Sequence, residues 1–366
     1  MTERSRPMPV KYWSFAGLML TYWCNARCEC CYLSCNESRP MHEPLGVHQT
    51  LATLHEPLDV HESFAISQTG TPQAEIDYWL GVWEGLIRTS PHGCRVHITG
   101  GEPFGDWPRL IELARQAHKQ GLAPLEKVET NAFWATDAAV VRDRLAALRD
   151  AGMEKIAISA DPYHQQFVPI DRCRLLASCA QEVLGEQGVQ VRWRDWLADG
   201  FDTHDLTDQA RRELFAGYLA RGRERLGGRA AGVLVGLSQL KSLSDFSDSP
   251  CRDTLLRGRH VHVDAQGNVM PGTCAGIVLG RLRVGADIKI LWQNLNANLA
   301  TRPILSELVA NGPFGLLDMA RRCGFVPAEG YASRCHLCWD IRRALAQAGV
   351  GLDELGPMWM YAEEAT

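Results

Sequence analysis

Three cysteines near the start of the chain, Cys24, Cys28 and Cys31, have a spacing suited to redox chemistry. They lie in the run Thr21-Tyr-Trp-Cys-Asn-Ala-Arg-Cys-Glu-Cys-Cys-Tyr32, which fits Cys-x₃-Cys-x₂-Cys. Three closely spaced thiolates can bind three irons of a four-iron cluster and leave the fourth iron open. A small molecule can bind such an iron and be reduced there. The spacing therefore predicts a [4Fe-4S] centre with one free coordination position.

A zinc site or a group of packed thiols is the alternative interpretation of this run. Zinc sites usually draw four ligands from two separated pairs, whereas these cysteines form one tight group. Two further cysteines lie next to the triad and could be ligands in its place. Cys30 offers a Cys-x-Cys pairing with Cys28, and Cys35 is interpreted as a bystander. We favour the iron–sulfur interpretation with Cys31 as the third ligand.

A second motif, Thr99-Gly100-Gly101-Glu102-Pro103, follows about seventy residues later. Alone, this segment would be only a turn after a strand. With the triad, it resembles the radical SAM enzymes, whose cysteine triad holds a [4Fe-4S] cluster. The resemblance implies that the open iron chelates S-adenosylmethionine (SAM) and that Gly100, Gly101 and Glu102 form the segment for its methionyl amine. It also implies a partial β/α barrel and cleavage of SAM to a 5′-deoxyadenosyl radical.

Polar residues at later strand ends are further candidates by this resemblance. Asn131, Ser159 and Asp161 would bind the ribose hydroxyls or the methionyl carboxylate of SAM, and Arg192 would pair with a carboxylate of SAM or of the substrate. The alternative role for the first three is strand capping or turn formation. We also propose that Tyr32 makes the adenine contact that Cys30 does not offer. Tyr163 and His164 are proposed as donors of a hydrogen atom or proton.

Four later cysteines could close a second metal site. Cys251 and Cys274 flank a predicted hairpin at 259–270, and Cys335 and Cys338 form a Cys-x₂-Cys pair. Four thiolates are enough to close an iron–sulfur cluster completely. The arrangement resembles the SPASM/Twitch extension of radical SAM enzymes, in its short one-cluster form, and implies an auxiliary [4Fe-4S] cluster. A four-cysteine zinc site is the alternative, and Cys323 is a rival ligand that we expect in the core.

The pattern of apolar runs predicts the fold that would hold these residues. From about residue 12 to 240, short apolar runs alternate with helical stretches, as in a β/α repeat. The candidate strands are Phe15–Tyr22, Arg95–Thr99, Lys127–Thr130, Lys155–Ala160, Val189–Trp193 and Gly232–Gly236. We expect an α/β protein: a partial (β/α)6 radical SAM barrel, followed by a small cysteine-rich SPASM/Twitch-like domain. Ligands of such folds bind at the carboxyl ends of the strands, where both motifs fall.

The predicted boundaries are residues 1–240 for the barrel and 241–366 for the cysteine-rich domain. A long insertion at about 36–73 is rich in His, Pro, Glu and Thr. A loop of this length inside a compact domain is uncommon and often functional. We interpret it as a lid or substrate contact, with a mobile insertion as the equal alternative.

Composition narrows the possible partners and location. The 366 residues are 46% hydrophobic and carry a net charge of −5, which does not favour binding to nucleic acid or an anionic membrane. The basic run Arg221–Arg229 is interpreted as a solvated helix end. No apolar run reaches membrane-spanning length. Thirteen cysteines, an odd number at uneven spacings, fit metal sites in a reducing cytoplasm better than disulfides.

The functional hypothesis is a radical SAM enzyme that abstracts hydrogen from a C–H bond. By resemblance, its product would be an oxidised ribosomally made peptide, through a cross-link or a dehydrogenation. A dehydrogenase of a small sugar or alcohol is the first alternative. The electron donor would be a flavodoxin- or ferredoxin-type protein. A non-catalytic zinc-binding scaffold is the alternative from another class.

Overall fold

The computed structural model describes residues 13–42, 72–122, 124–272, 274–282 and 287–362. Its centre is an eight-stranded sheet with the strand order β5-β4-β3-β2-β1-β6-β7-β8. Strands β1 to β6 pair in parallel, whereas β6–β7 and β7–β8 are antiparallel. The strands are β1 Phe15–Met19, β2 Arg95–Thr99, β3 Leu125–Thr130, β4 Met153–Ile158, β5 Val189–Val191, β6 His260–Asp264, β7 Asn268–Pro271 and β8 Gly280–Arg281.

Helices follow the strands along the chain, and together with the parallel strands they form the expected partial β/α barrel. Helix α1 buries Trp79 and Trp83 completely. Asp137 caps α3 by accepting a hydrogen bond from the backbone N–H of Val140. The helices are α1 Pro72–Thr89, α2 Trp107–Lys119, α3 Ala138–Asp150, α4 Ile170–Leu184, α5 Arg194–Asp199, α6 Asp208–Leu219, α7 Gly228–Val233, α8 Ile288–Asn298, α9 Pro303–Asn311, α10 Leu317–Arg322 and α11 Arg334–Gln347.

The first five predicted strands are confirmed, with ends that differ by up to three residues. The sixth prediction, Gly232–Gly236, is wrong. This segment lies in α7 and in the 3₁₀ turn Leu234–Leu237 that follows it. Short apolar runs do not distinguish a strand from a buried helix by periodicity, and Leu234 is fully buried in either case.

The sixth parallel strand comes instead from the predicted hairpin. Strand β6 pairs with β1 over its whole length, from Phe15 opposite His260 to Met19 opposite Asp264. The hairpin itself is confirmed, because β7 returns antiparallel to β6. Gly267 makes its turn with a φ of 80°. The sheet therefore crosses residue 240, and the domain boundary there stays a prediction.

Most of the predicted insertion, residues 43–71, lies outside the described residues, so its proposed role as a lid stays a prediction. Residues 36–42, the first part of this insertion, contact the rest of the protein: the Arg39 guanidinium stacks 3.7 Å from the ring centre of Trp359. Within the described part of the chain, none of the helices combines the length and apolar character needed to cross a membrane.

Candidate functional site

The three triad cysteines lie in the loop that leaves the carboxyl end of β1. Cys24 and Cys28 are buried and Cys31 is partly buried, all as free thiols. The loop is closed by a hydrogen bond from the Cys24 N–H to the Asn36 carbonyl at 3.1 Å and by a turn in which the Cys31 N–H donates to the Cys28 carbonyl. The backbone thus holds the three thiols in one compact loop.

The Cys31 thiol has the most favourable environment for a thiolate. The hydrogen bond from Cys35 lowers the pKa of Cys31 to about 6, burial opposes this, and the positive charge of Arg229 adds to the lowering. The Cys35 backbone N–H also lies 3.4 Å from the Cys31 sulfur. Cys31 is therefore largely a thiolate at neutral pH, the form that binds metal.

Arg229 is a residue of this site that sequence reasoning missed. Its guanidinium is buried and donates to the backbone carbonyls of Cys28 at 3.1 Å and Cys35 at 3.0 Å. Its backbone N–H donates to the Ser34 hydroxyl. Arg229 ends the basic run interpreted as solvated. For this residue that interpretation is wrong, because α7 turns the side chain under the cysteine loop.

The Gly-Gly-Glu-Pro segment follows β2 and lies directly against the start of the cysteine loop. The N–H of Gly101 donates to the Thr21 carbonyl at 2.7 Å, and the N–H of Glu102 donates to the Trp23 carbonyl at 2.8 Å. A Cβ at Gly101 would lie 1.9 Å from the Trp23 carbonyl oxygen. Glycine is therefore required by the close backbone approach, and the two motifs form one structural unit.

Glu102 points inward and connects this unit to the end of β3. Its carboxylate is fully buried and accepts hydrogen bonds from the Phe104 N–H, the Thr130 hydroxyl and the Asn131 N–H at 2.7–3.2 Å. Burial raises the pKa of Glu102 to about 7, and these donors limit the rise. The side chain fixes the geometry of neighbouring loops.

Asn131, at the end of β3, faces the triad. Its side-chain amide donates to Asn25 Oδ1 at 2.9 Å and lies 3.7 Å from the Cys24 sulfur. Ser159, at the end of β4, is partly exposed, and its N–H donates to the Thr130 carbonyl at 2.9 Å. Both predicted residues thus lie at the same edge of the sheet as the triad, and their roles toward SAM stay predictions.

Asp161 organises a charged cluster beside the cysteine loop. Its buried carboxylate accepts hydrogen bonds from the N–H groups of Tyr163 and His164, and it lies 2.8 Å from His164 Nδ1 and 3.1 Å from Arg192 Nε. Burial alone would raise the pKa of Asp161, but His164 and Arg192 outweigh it and lower that pKa. Arg192 also pairs with the buried carboxylate of Glu224.

Cys30 belongs to this charged cluster. One ligand atom each of Cys30, Asp161 and His164 lies within 4.8 Å of the other two. Burial, followed by the negative charge of Asp161, raises the pKa of Cys30 well above its usual value. Cys30 is therefore a neutral thiol facing the proton-bearing groups, in contrast to Cys31.

The two predicted proton or hydrogen donors differ in their contacts. Tyr163 is fully buried, and its hydroxyl donates to the Phe215 carbonyl at 3.1 Å. The side chain of His164 keeps 17% exposure; burial opposes protonation, but Asp161 and Cys28 raise its pKa well above the ordinary value. Tyr32 follows the triad directly, and burial, followed by the charge of Glu129, raises the pKa of its phenol.

The four later cysteines come together at a second place. Burial, together with the negative potential of Cys338, Cys274 and Cys335, raises the pKa of Cys251 to about 12, while Arg334 opposes the rise. Cys335 and Cys338 lie in the first turn and a half of α11, whose N-terminal dipole favours thiolates. Their role as metal ligands stays a prediction.

Two further residues of the C-terminal region, Cys323 and Arg342, bear on this assignment. Cys323 follows α10 and is exposed, so the expectation that it lies in the core is wrong. Arg342, on α11, is buried and donates to the Ala275 carbonyl at 3.0 Å, beside Cys338. Its positive charge would offset part of the negative charge of a thiolate-bound metal.

Comparison with known proteins gives structural similarity only. No protein-family model matches the chain, and no curated protein sequence matches it. The structure of BtrN in complex with AdoMet and 2-DOIA shares 15% identity, covers 83% of this chain and 89% of that one, and has a TM-score of 0.42. The corresponding values for native anSMEcpe with bound AdoMet and Cp18Cys peptide are 13%, 92%, 99% and 0.39. For Streptococcus suis SuiB bound to S-adenosylmethionine they are 11%, 80%, 68% and 0.36.

Proposed function

We propose that this chain is a radical SAM enzyme. The observation that carries the proposal is the pair of backbone hydrogen bonds from Gly101 to Thr21 and from Glu102 to Trp23, because they join two motifs from distant parts of the sequence into one site. That site lies at the carboxyl ends of parallel strands, where β/α folds bind their ligands.

The residues present fit a [4Fe-4S] cluster held by Cys24, Cys28 and Cys31. The donor set consists of free thiols, one of them largely ionised, with the cation of Arg229 beneath the loop. The cluster and SAM, when bound, would supply a 5′-deoxyadenosyl radical that abstracts hydrogen from a C–H bond. Asn131 would orient the loop at Cys24, and the segment Gly100–Glu102 would supply the backbone for the methionyl amine.

The Asp161 cluster would serve the rest of the cofactor or the substrate. Because the Asp161 carboxylate already accepts two backbone N–H groups and faces two cations, we propose that it positions His164 and Arg192. The partly exposed His164 would then move a proton at Nε2. The Tyr163 hydroxyl, held by Phe215, would support this wall of the site.

A second, closed metal site is proposed at Cys251, Cys274, Cys335 and Cys338. The support is their mutual electrostatic effect, the helix N-terminus behind two of them and the nearby cation of Arg342. An iron–sulfur cluster held by these four cysteines would supply an electron acceptor, which a net oxidation of the substrate requires. A flavodoxin- or ferredoxin-type protein would supply the electron that starts each cycle.

The substrate proposed first is a ribosomally made peptide, which would gain a cross-link or a double bond. It rests on the resemblance of the cysteine-rich extension to SPASM/Twitch domains. A small sugar or alcohol is the second candidate. It is favoured by the charged side chains of β3, where the Lys127 ammonium lies 2.8 Å from Glu129 Oε1, since such groups suit a small polar molecule better than an extended chain.

Formation of 5′-deoxyadenosine by anaerobically reconstituted protein tests the proposed function. With SAM and a strong reductant, the unaltered protein should release 5′-deoxyadenosine, and Cys28→Ala should release none. Cys323→Ala, which removes an exposed thiol outside both cysteine groups, is the matched control and should retain full release. Zinc without iron in the reconstituted protein, together with no 5′-deoxyadenosine, would instead support the zinc-scaffold hypothesis.

A further inference from the structure

Three histidines meet on one face of the sheet, on the strands that flank β1. His97 lies on β2, and His260 and His262 lie on β6, the two strands that flank β1. Gly17 of β1 is the register partner of both His97 and His262. One ring nitrogen from each histidine lies within 4.8 Å of the other two.

The sequence makes room for these rings at Gly17. A Cβ at this position would lie 2.3 Å from Cδ2 of His262 and 2.7 Å from Nε2 of His97. Glycine in the middle of a strand normally weakens the strand and marks a close approach by another group. Here the approaching groups are imidazole rings, so the absence of a side chain at Gly17 leaves the space that these rings occupy.

Two ring nitrogens of this cluster have no hydrogen-bond partner among the described residues. His97 is 1% exposed and His262 8% exposed. Within the described residues, His97 Nδ1 and His260 Nε2 are buried without a hydrogen-bond partner. Buried polar atoms nearly always have a partner. The protein therefore leaves part of the hydrogen-bonding capacity of two rings in this cluster unused.

The surroundings hold the rings in place. Phe15 lies against His97 and His260, with ring centres 4.6 Å apart in each case. Glu129 Oε1 is 3.9 Å from His97 Nε2 and also binds the Lys127 ammonium. Phe15 thus fixes two rings, and Glu129 is an anionic group within reach of the cluster.

The charge state is also compatible with metal binding. Burial lowers the pKa of His97 to about 4 and those of His260 and His262 to about 3, so the rings are neutral and carry lone pairs at physiological pH. Lys127 and Arg225 contribute positive potential at the cluster, and Glu129 contributes negative potential. The ionised Glu129 offsets part of the repulsion that these two cations would exert on a bound metal ion.

We propose that His97, His260 and His262 bind one divalent transition-metal ion of the zinc class between β1, β2 and β6. Neutral imidazole is a preferred ligand of such ions, with metal–nitrogen distances of about 2.0–2.1 Å. Tetrahedral coordination would bring the nitrogens to roughly 3.3 Å from one another, inside the 4.8 Å within which they lie here. Glu129 is the residue placed to orient a ring or to supply a fourth ligand. The inference does not rest on the proposed radical chemistry, and Glu129 is shared with the charged side chains of β3 named there.

Zinc binding by the iron-loaded protein tests this inference. The protein, with its cysteines reconstituted with iron and sulfide, is given zinc and then desalted. Zinc content should be about one per chain, and X-ray absorption at the zinc edge should show nitrogen or oxygen ligands only. The double variant H97Q/H262Q should lose this zinc while keeping its iron. His204→Gln, which alters an exposed histidine, is the matched control and should keep the zinc.

Other results would overturn the inference. Zinc absent from the unaltered protein, or zinc with sulfur at about 2.3 Å, would show that the histidines do not bind it. Zinc unchanged in H97Q/H262Q would show the same. Since zinc content and ligand type are also measured on the unaltered protein, the inference does not depend on the variant folding. Loss of 5′-deoxyadenosine formation would bear on the proposed function and leave this result unaffected.

Discussion

The guanidinium of Arg229 donates a hydrogen bond to the carbonyl oxygen of Cys28 at 3.1 Å, although the two residues are 201 positions apart. A second bond to the Cys35 carbonyl fixes the other end of the same loop. The cysteine loop is therefore shaped by a buried cation from α7 as well as by its own turns. The thiol of Cys31 lies within the electrostatic influence of the same cation, which lowers its pKa.

Replacing Arg229 should weaken the loop. Arg229→Ala removes the side-chain donor of the buried Cys35 carbonyl and one of the two donors of the Cys28 carbonyl, and each lost bond to a charged group costs about 1.5–3 kcal/mol. We expect a lower free energy of unfolding and a lower iron content after reconstitution, measured by denaturation and metal analysis. Arg221→Ala, in the same basic run but at an exposed position, loses a surface ion pair with Asp195 and ring contacts with Trp193 and Tyr218, and should change stability by less than Arg229→Ala does. Equal effects of the two substitutions would contradict the role given to Arg229.

Gly101→Ala should separate the two motifs. The added methyl group would overlap the Trp23 carbonyl, a backbone atom that has little freedom to move. We expect SAM-dependent 5′-deoxyadenosine formation to fall by about a hundredfold or more, as expected when a reacting group is misplaced by about 1 Å. Gly81→Ala is the control, because that exposed position on α1 has open space around it and alanine there should stabilise the helix by roughly 0.5–1 kcal/mol. Retained activity in Gly101→Ala would refute this packing argument.

Asp161→Asn should lower the free energy of unfolding more than the loss of an exposed ion pair does. Removing one partner of a buried ion pair typically costs about 3–5 kcal/mol; here His164 loses its ion-pair partner Asp161, and Arg192 keeps only Glu224 of its two carboxylate partners. Asp195→Asn, which breaks an exposed pair with Arg221, is the matched control. Thermal or chemical unfolding at neutral pH measures both, and similar losses would contradict the burial argument.

The same cluster gives a pH dependence with a defined sign. The pKa of Asp161 is lowered in the folded protein, so its contribution is present above the ordinary aspartate pKa and is lost as the pH falls through the lowered value. The pKa of His164 is raised, so its contribution is lost only as the pH rises through that raised value. Stability measured against pH should therefore fall on both sides of this window, and it should fall less steeply in Asp161→Asn.

The second cysteine group should hold about half of the iron. Protein purified without oxygen is expected to contain about eight irons per chain if both sites carry four-iron clusters. Cys338→Ala should reduce this to about four and leave 5′-deoxyadenosine formation without substrate largely intact. Cys323→Ala should change neither quantity. About four irons and one zinc in the unaltered protein would instead assign the second group to zinc.

The sequence was most informative where chemistry requires fixed spacing. The triad and the Gly-Gly-Glu-Pro segment predicted one site at the carboxyl ends of strands, and the backbone bonds at Gly101 and Glu102 join them. The first five strands were also recognisable as short buried runs. The sixth was not, because the apolar pattern of Gly232–Gly236 fits a buried helical turn as well as a strand.

Contacts between distant segments could not be read from the sequence. Arg229 looked like part of a solvated basic run, since nothing in its spacing relates it to Cys28. The histidines of β6 looked like alternating hairpin residues, and His97 like one residue of a short strand. Only the pairing of β1 with both β2 and β6 places their rings over Gly17.

The same pairing has a consequence for biosynthesis. Strand β1 and one of its two neighbours, β6, are separated by more than two hundred residues of chain, so β6 emerges from the ribosome well after β1. Distant pairings of this kind slow folding and leave strand edges open while the chain grows. The nascent triad would therefore stay accessible to iron donors on the ribosome, and the arrival of α7 and β6 would set the moment at which it is enclosed.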